Sequence, residues 1–342
     1  RSRVAAVFNF HDRLYRSPEP MLPEGYIGLG FYSGEHQPYD NMWPNHKGNI
    51  NVAEMLFRGF GETDVIDQRA LHEGVLDDYR GFVLNGVDYI TDDDAKAVVK
   101  FVEAGGLLIC DHIPTHNTNG EATAILKPLF TGEQQYFDKD VTVTYSTVGK
   151  GRTLLFSADL NELYTAAVEQ GESYLRYLVK HACRDFFDNA GIRPHVRTSN
   201  YGVETNVLLA PESVVLVSVN HTADRQQATA ALFAPSVKIE AAADMITGRP
   251  YPLTKTAEGI EVSLDLGDRE GSIIGRFPTL PADLAIKPEA DRFTRGDRLA
   301  FTVTLIDAAG QPALGDHIVE LHVTDPTGEE RPRYTGRFCA AG

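Results

Sequence analysis

The spacing of apolar positions changes once along this chain. Up to about residue 190, strand-like runs alternate with helical stripes; from "GIRPHVRT" (191–198) onward only strand-like alternation is left. In the first part "VAAVFNF" (4–10) reads as a strand and "NINVAEMLFRGFG" (49–61) as a helix with a glycine stop. "TDVID" (63–67) and "GFVLNG" (81–86) are short apolar strands. "TDDDAKAVVKFVEAGG" (91–106) carries a Thr cap, three acids in its first turn, an apolar face of Ala95, Val98, Val99 and Val102, and two closing glycines, which together predict a helix. "LLICDH" (107–112) supplies the next strand, and "VTVTYSTVGKGRTLLFSADL" (141–160) reads as a hairpin turning at "GKG". "ESYLRYLVKHACRDFFDNAG" (172–191) predicts one helix with Leu175, Leu178, Val179, Ala182 and Phe186 on one face and Cys183 as a packing residue. Strands alternating with helices imply right-handed crossovers and an α/β domain with a mostly parallel sheet over residues 1–193.

The second part holds "ETNVLLA", "SVVLVSVNHT", "ATAALFA", "GIEVSLDL" and "GSIIGRF", short runs separated by turn residues. That pattern predicts an all-β sandwich over 194–278. A Pro-rich joint, "FPTLPADLAIKP" (277–288), separates it from a last alternating stretch over 289–342 with turns at "AAGQP" and "DPTGEE". Three or four strands are fewer than an immunoglobulin-like sandwich needs, so this stretch reads as a partial module. Between the first strand and the first helix lies an irregular segment, 11–48, with Pro18, Pro20, Pro23, Pro38 and Pro44. It holds Trp43 together with Tyr26, Phe31, Tyr32, Tyr39 and Met42, an enrichment that predicts a place at or near a subunit interface, with folding back over its own sheet as the alternative.

Charge narrows the partners. A net charge of −16 with no local basic stripe excludes a nucleic-acid role and disfavours anionic membranes. No run approaches the roughly 20 apolar residues needed to cross a bilayer, and the opening apolar run is too short for a signal peptide. Three cysteines, at 110, 183 and 339, are too scattered for a disulfide framework or a zinc ribbon. The terminal β-modules point to an extracytoplasmic setting, which cysteine usage leaves undecided.

Candidate chemistry gathers where "LLIC" ends, because the crevice outside the carboxyl ends of strands is where open α/β sheets bind ligands. Cys110, Asp111 and His112 are the catalytic candidates there. The binding candidates are His116, with His11, Asp12, Trp43 and His46 from the long segment. As a nucleophile Cys110 lacks flanking glycines, and the adjacent acid opposes thiolate formation. His112 and His116 have the i, i+4 spacing of helical zinc ligands, but Pro114 lies between them after a strand. The expectation is a strand end capped by polar loop residues, with Cys110 buried beside Val83 and Leu108, and with no metal and no cofactor. A hydrolase using Cys110 to His116 stays open as the alternative. No G-x-S-x-G elbow, P-loop or G-x-G-x-x-G follows the strands.

"VAAVFNFHDRLYR" and the run from "INVAEMLFRGFGETDVID" through "YRGFVLNG" to "EAGGLLI" resemble the trimerisation domain of family-42 β-galactosidases. "GKGRTLLFSADL" resembles its closing strand. "VVLVSVNHTADRQQATAAL" with "ADMITGRPYPL" is similar to the small C-terminal β-domain of those enzymes, and the final stretch to an immunoglobulin- or macroglobulin-like module. The resemblance covers residues 3–275. It implies a flavodoxin-like, amidotransferase-like α/β fold without amidotransferase machinery, followed by β-modules. It further implies a non-catalytic assembly or accessory region of a glycoside hydrolase, with self-association as a trimer or dimer. The family's catalytic glutamates belong to a barrel that none of this sequence matches, so no catalytic residue carries over. "CDHIPTHN" departs from the family's usual loop, and a carbohydrate-binding role is the remaining alternative.

Overall fold

The computed structural model describes residues 4–8, 52, 55, 56 and 60–341, apart from 62, 139, 234–237, 291, 293, 295 and 297. The chain divides into two compact units, Arg1–Pro194 and His195–Gly342.

The first unit is built on a mixed seven-stranded sheet of order β2-β1-β3-β4-β7-β6-β5. Its strands are β1 (Val4–Phe8), β2 (Asp64–Asp67), β3 (Gly81–Leu84), β4 (Leu107–Cys110), β5 (Glu133–Asp138), β6 (Val141–Val148) and β7 (Gly151–Phe156). The β1–β2, β1–β3, β3–β4 and β4–β7 pairs are parallel, whereas β5–β6 and β6–β7 are antiparallel. Strands β3 and β4 are buried along their whole length, as unbroken apolar runs covered on both faces must be. The Asp92–Ala104 helix starts as its sequence demands, with the Thr91 side chain accepting the Asp94 N–H, and it buries Ala95, Val98 and Val102 against Phe82, Leu84 and Leu108. Val52, Met55, Leu56 and Phe60 of the first predicted helix are all buried.

Two readings need correction here. The single helix expected over 172–191 is divided into Glu172–Val179, a π-turn at Lys180–Arg184, and Asp185–Asp188. Its apolar stripe is nevertheless the buried one, because a local change of winding shifts the register without removing the need to cover the sheet. The predicted hairpin ends at Phe156, and "DLNELYTAAVEQG" forms a separate helix, Leu160–Gln170, capped by Asp159 and stopped at Gly171.

The second unit contains two four-stranded antiparallel sheets. One has the order β12-β15-β10-β9 and the other β13-β14-β11-β8. The strands are β8 (Val196–Thr198), β9 (Val203–Leu209), β10 (Val214–Asn220), β11 (Gln226–Phe233), β12 (Ala241–Asp244), β13 (Thr254–Lys255), β14 (Gly259–Leu266) and β15 (Gly271–Phe277). Alternate residues of these strands, among them Val214, Leu216, Ala230, Leu232, Val262, Leu264 and Ile274, form one buried cluster. Beyond them, β16 (Pro281–Pro288) pairs with β17 (Phe301–Asp307), and β18 (Asp316–Leu321) with β19 (Gly336–Ala341). The expected Pro-rich joint is therefore largely a strand. Pro281 and Pro288 stand at its two ends, with a register shift beside Pro281, which is where a strand tolerates a residue that lacks an N–H.

Candidate functional site

The ends of β3 and β4 and the start of the Leu160–Gln170 helix meet around Asp111. This carboxylate follows the last residue of β4 and is almost fully buried. The Gly86 N–H donates to its Oδ1 at 2.7 Å and the Leu160 N–H to its Oδ2 at 3.0 Å. Gly86 adopts φ of 59°, a left-handed conformation open to glycine, where the chain leaves β3. Asp159, next in space, accepts the Asn161 N–H at 2.7 Å and the Glu162 N–H at 3.1 Å. Burial lifts the Asp111 carboxyl to about 6, against the lowering effect of its two backbone donors; the charge of Asp159 adds to the rise.

A helix N-terminus is ordinarily an anion site, because its first N–H groups lack partners. Here the chain's own carboxylates take the first three of them. A phosphate or a free carboxylate finds no open donor at this helix start, and Asp111 has both oxygens committed to backbone groups. A proton exchanging near neutral pH is the chemistry of a general acid or base, but that role also requires reach to a substrate, and Asp111 is closed in.

The other sequence candidates do not converge on it. Cys110 is fully buried at the end of β4, between Leu84 and Leu155 on the neighbouring strands, and its thiol donates to the His112 carbonyl at 2.7 Å. Burial first, and then the charge of Asp111, raise the thiol well above its ordinary range, so the thiolate is disfavoured. His112 places Nε2 against Oδ1 of Asp88 as an ion-pair contact rather than an aligned hydrogen bond. His116 lies elsewhere. Its backbone bridges Tyr89 and Ala122, Nδ1 is 2.9 Å from the Thr115 hydroxyl, and its ring stands 5.6 Å from that of Tyr89. Pro114 thus separates two histidines with different neighbours. Among the described residues no three His, Cys, Asp or Glu side chains are grouped to hold a metal ion. His11, Asp12, Trp43 and His46 lie outside the described residues, as does the rest of the 11–48 segment.

Sequence reasoning passed over Asp159, Leu160, Gly86 and Asp88. Asp159 had a legible signal, since an Asp followed by Glu162 and a glycine stop at Gly171 marks a helix start and end. The buried state of Cys110 has a direct check. Iodoacetamide is expected to label Cys110 of the folded protein at least about tenfold more slowly than a free thiol at neutral pH, with the rate restored on unfolding. Labelling at the free-thiol rate in the folded state would contradict this burial.

No protein-family model and no curated protein matches the chain. Solved structures do match it. A β-galactosidase from Rahnella sp. R3 superposes with a TM-score of 0.52 at 14% identity, over 81% of this chain and 41% of that one. A GH42 β-galactosidase from G. stearothermophilus gives 0.51 at 13%, over 80% of this chain and 40% of that one. An α-L-fucosidase isoenzyme 2 from Paenibacillus thiaminolyticus gives 0.51 at 11%, over 80% and 48%. The chain spans less than half the length of these solved chains, and at such identities the likeness is one of fold.

Proposed function

We propose that this chain is a non-catalytic assembly or accessory region of a β-galactosidase-like glycoside hydrolase, and that its first unit mediates self-association as a trimer or dimer. The observation that carries the reading is the closed strand end. The place where an open α/β sheet would do chemistry is filled by Asp111 and Asp159 bonded to backbone N–H groups, with Cys110 as an internal donor. The fold shared with part of solved GH42 β-galactosidases supports the enzyme context, and its recurrence in an α-L-fucosidase favours a scaffold role over one tied to a substrate.

The finer assignments belong to the same proposal. The order β2-β1-β3-β4 with parallel pairing favours a flavodoxin-like, amidotransferase-like first domain over 1–193. A β-domain follows over 194–278, and the two ribbons near the end belong to an immunoglobulin-like module. The 11–48 segment is assigned to the assembly interface on its aromatic content.

The purified chain is expected to produce no measurable turnover of nitrophenyl galactosides, because positioned acid and nucleophile carboxylates supply most of the rate in glycoside hydrolysis. Turnover abolished by a single carboxylate substitution within this chain would overturn the non-catalytic reading. Turnover at the Cys110–His116 loop, lost in His112→Ala, would establish the hydrolase alternative instead.

A further inference from the structure

A half-open cleft of about 170 Å³ lies in the first unit, between the β6–β7 hairpin and the Asp185–Asp188 helix. Cross-strand pairing sets Thr147 opposite Arg152 and Tyr145 opposite Leu154, so Tyr145, Thr147 and Arg152 share the face that lines it. Asp185 and Asn189 supply the other wall. They are one turn apart, directly after the π-turn, with the Asn189 N–H given to the Asp185 carbonyl at 3.0 Å. Arg152 links the two walls, its Nη2 reaching the Asn189 carbonyl at 3.4 Å. Ser146 and Thr153, of opposite parity on the same strands, are committed to the Gly132 N–H and the Leu129 carbonyl. The polar groups in the cleft are not. Among the described residues, the Tyr145 and Thr147 hydroxyls and the Asn189 side-chain amide have no hydrogen-bond partner, and the Arg152 guanidinium has only its one long contact. Asp185 sets one oxygen 2.9 Å from His181 Nδ1 and keeps the other open. This place is at the opposite end of β7 from the closed strand end, since Arg152 pairs with Leu107 at the start of β4 and Leu155 with Cys110 at its end.

We propose that this cleft binds a single neutral sugar ring of hexopyranose size through its hydroxyl groups. The inference goes beyond the assembly reading and stands whether the chain is a monomer or an oligomer. Charge decides the class. The cleft has one cation, Arg152, and one anion, Asp185, so a phosphate or carboxylate ligand meets Asp185 and an ammonium or metal ion meets Arg152. A zwitterion fits less well, because Asp185 already has His181 beside it. A hydroxyl is donor and acceptor at once, and it suits the donors of Arg152, the open oxygen of Asp185 and the mixed groups of Tyr145, Thr147 and Asn189 with no charge to neutralise. Size decides the rest. Drug-sized ligands occupy roughly 300–1,000 Å³, so about 170 Å³ admits one ring rather than a chain. Buried Phe186 and the ring of Tyr145, which is 37% exposed, add the apolar lining that the C–H face of such a ring needs. Burial first, and then the charge of Asp185, push the Tyr145 hydroxyl up, so it stays a protonated donor across the neutral range.

A half-exposed polar site for so small a ligand belongs to the millimolar class, roughly 1–20 mM. D-Galactose and D-glucose, which differ at one hydroxyl, are titrated into the full chain by NMR, with glycine and inorganic phosphate as zwitterionic and anionic probes. Lactose, run beside galactose, tells whether the ring is taken free or as the end of a chain. Saturation transfer to a hexose and shifts of the Thr147, Arg152 and Asn189 amides are expected, with less than about a twofold change in affinity between roughly 0.02 and 0.5 M salt, as a neutral ligand requires. Arg152→Met is expected to raise the dissociation constant at least about tenfold, and Asn189→Ala, at an exposed position, at least about threefold. Neither transfer nor shifts with either hexose at roughly 100 mM overturns the site. Glycine or phosphate binding there more tightly than the hexoses overturns the ligand class. Hexose binding unchanged in both variants puts the sugar elsewhere and overturns the cleft.

Discussion

Replacing Arg276 by methionine is expected to raise the stability of the second unit by about 3 kcal/mol, or roughly 5–10 °C in its unfolding transition. Arg276 lies on β15 opposite Val214 and Ala242, and it shares a face with Ile274, two residues earlier, which belongs to the sandwich core. It is fully buried, and Nε, Nη1 and Nη2 all lack a hydrogen-bond partner. Burial alone pulls the guanidinium down to about 10, with no opposing charge to restore it. A group depressed in this way is still charged in the folded state at every pH below about 10, so its cost is present throughout the neutral range. Methionine keeps most of the volume and length while removing the charge, whereas alanine would add a cavity of its own. Calorimetry of the wild type and Arg276→Met at neutral pH checks this. An unchanged or lower transition would mean that the guanidinium finds a partner in solution, and the buried, unpaired arrangement would then be wrong.

The second large effect is at Asp111. Asp111→Ala leaves the Gly86 and Leu160 N–H groups without their acceptor, and two buried donors left unmade cost about 2–4 kcal/mol. The loss depends on pH in a definite direction. With its carboxyl raised from 3.8 to about 6, the folded protein holds a proton that the unfolded chain has released, so Asp111 contributes most below pH 4 and loses that contribution as pH rises through about 6. The whole span corresponds to about 3 kcal/mol. Denaturant unfolding at pH 5 and pH 7.5 therefore shows Asp111→Ala more damaging at the lower pH. A penalty that grows with pH would mean that the two N–H donors outweigh burial and that the carboxylate is held ionised.

These two residues also mark where sequence stops being informative. Period and caps are properties of a few adjacent residues, and they located β3, β4, the Asp92–Ala104 helix, the β6–β7 hairpin and the alternating strands of the sandwich. "LLIC" before a charged residue was sufficient to place Asp111 at a strand end and to expect Cys110 in the core. An apolar run between two glycines and a polar loop has little choice but to be a buried strand. The helix stripe Leu175, Leu178, Val179, Ala182 and Phe186 was legible for the same reason, even though a π-turn interrupts it.

What the tertiary structure decided is whom each polar group meets. The partners of Asp111 come from 25 and 49 residues away, on a turn and a helix start that no local pattern connects to it. His112 and His116 have the spacing of a metal pair, yet the turn at Pro114 sends them to Asp88 and Tyr89. Arg276 sits in "GSIIGRF" at the parity of Ile274; only the pairing of β15 between β10 and β12 makes that parity a buried one. The place of β5 at the end of the sheet is likewise a property of strand order, which no local pattern in "EQQYFD" sets. Local periodicity sets which residues want burial, whereas long-range pairing sets which ones obtain it and which donors and acceptors they find there.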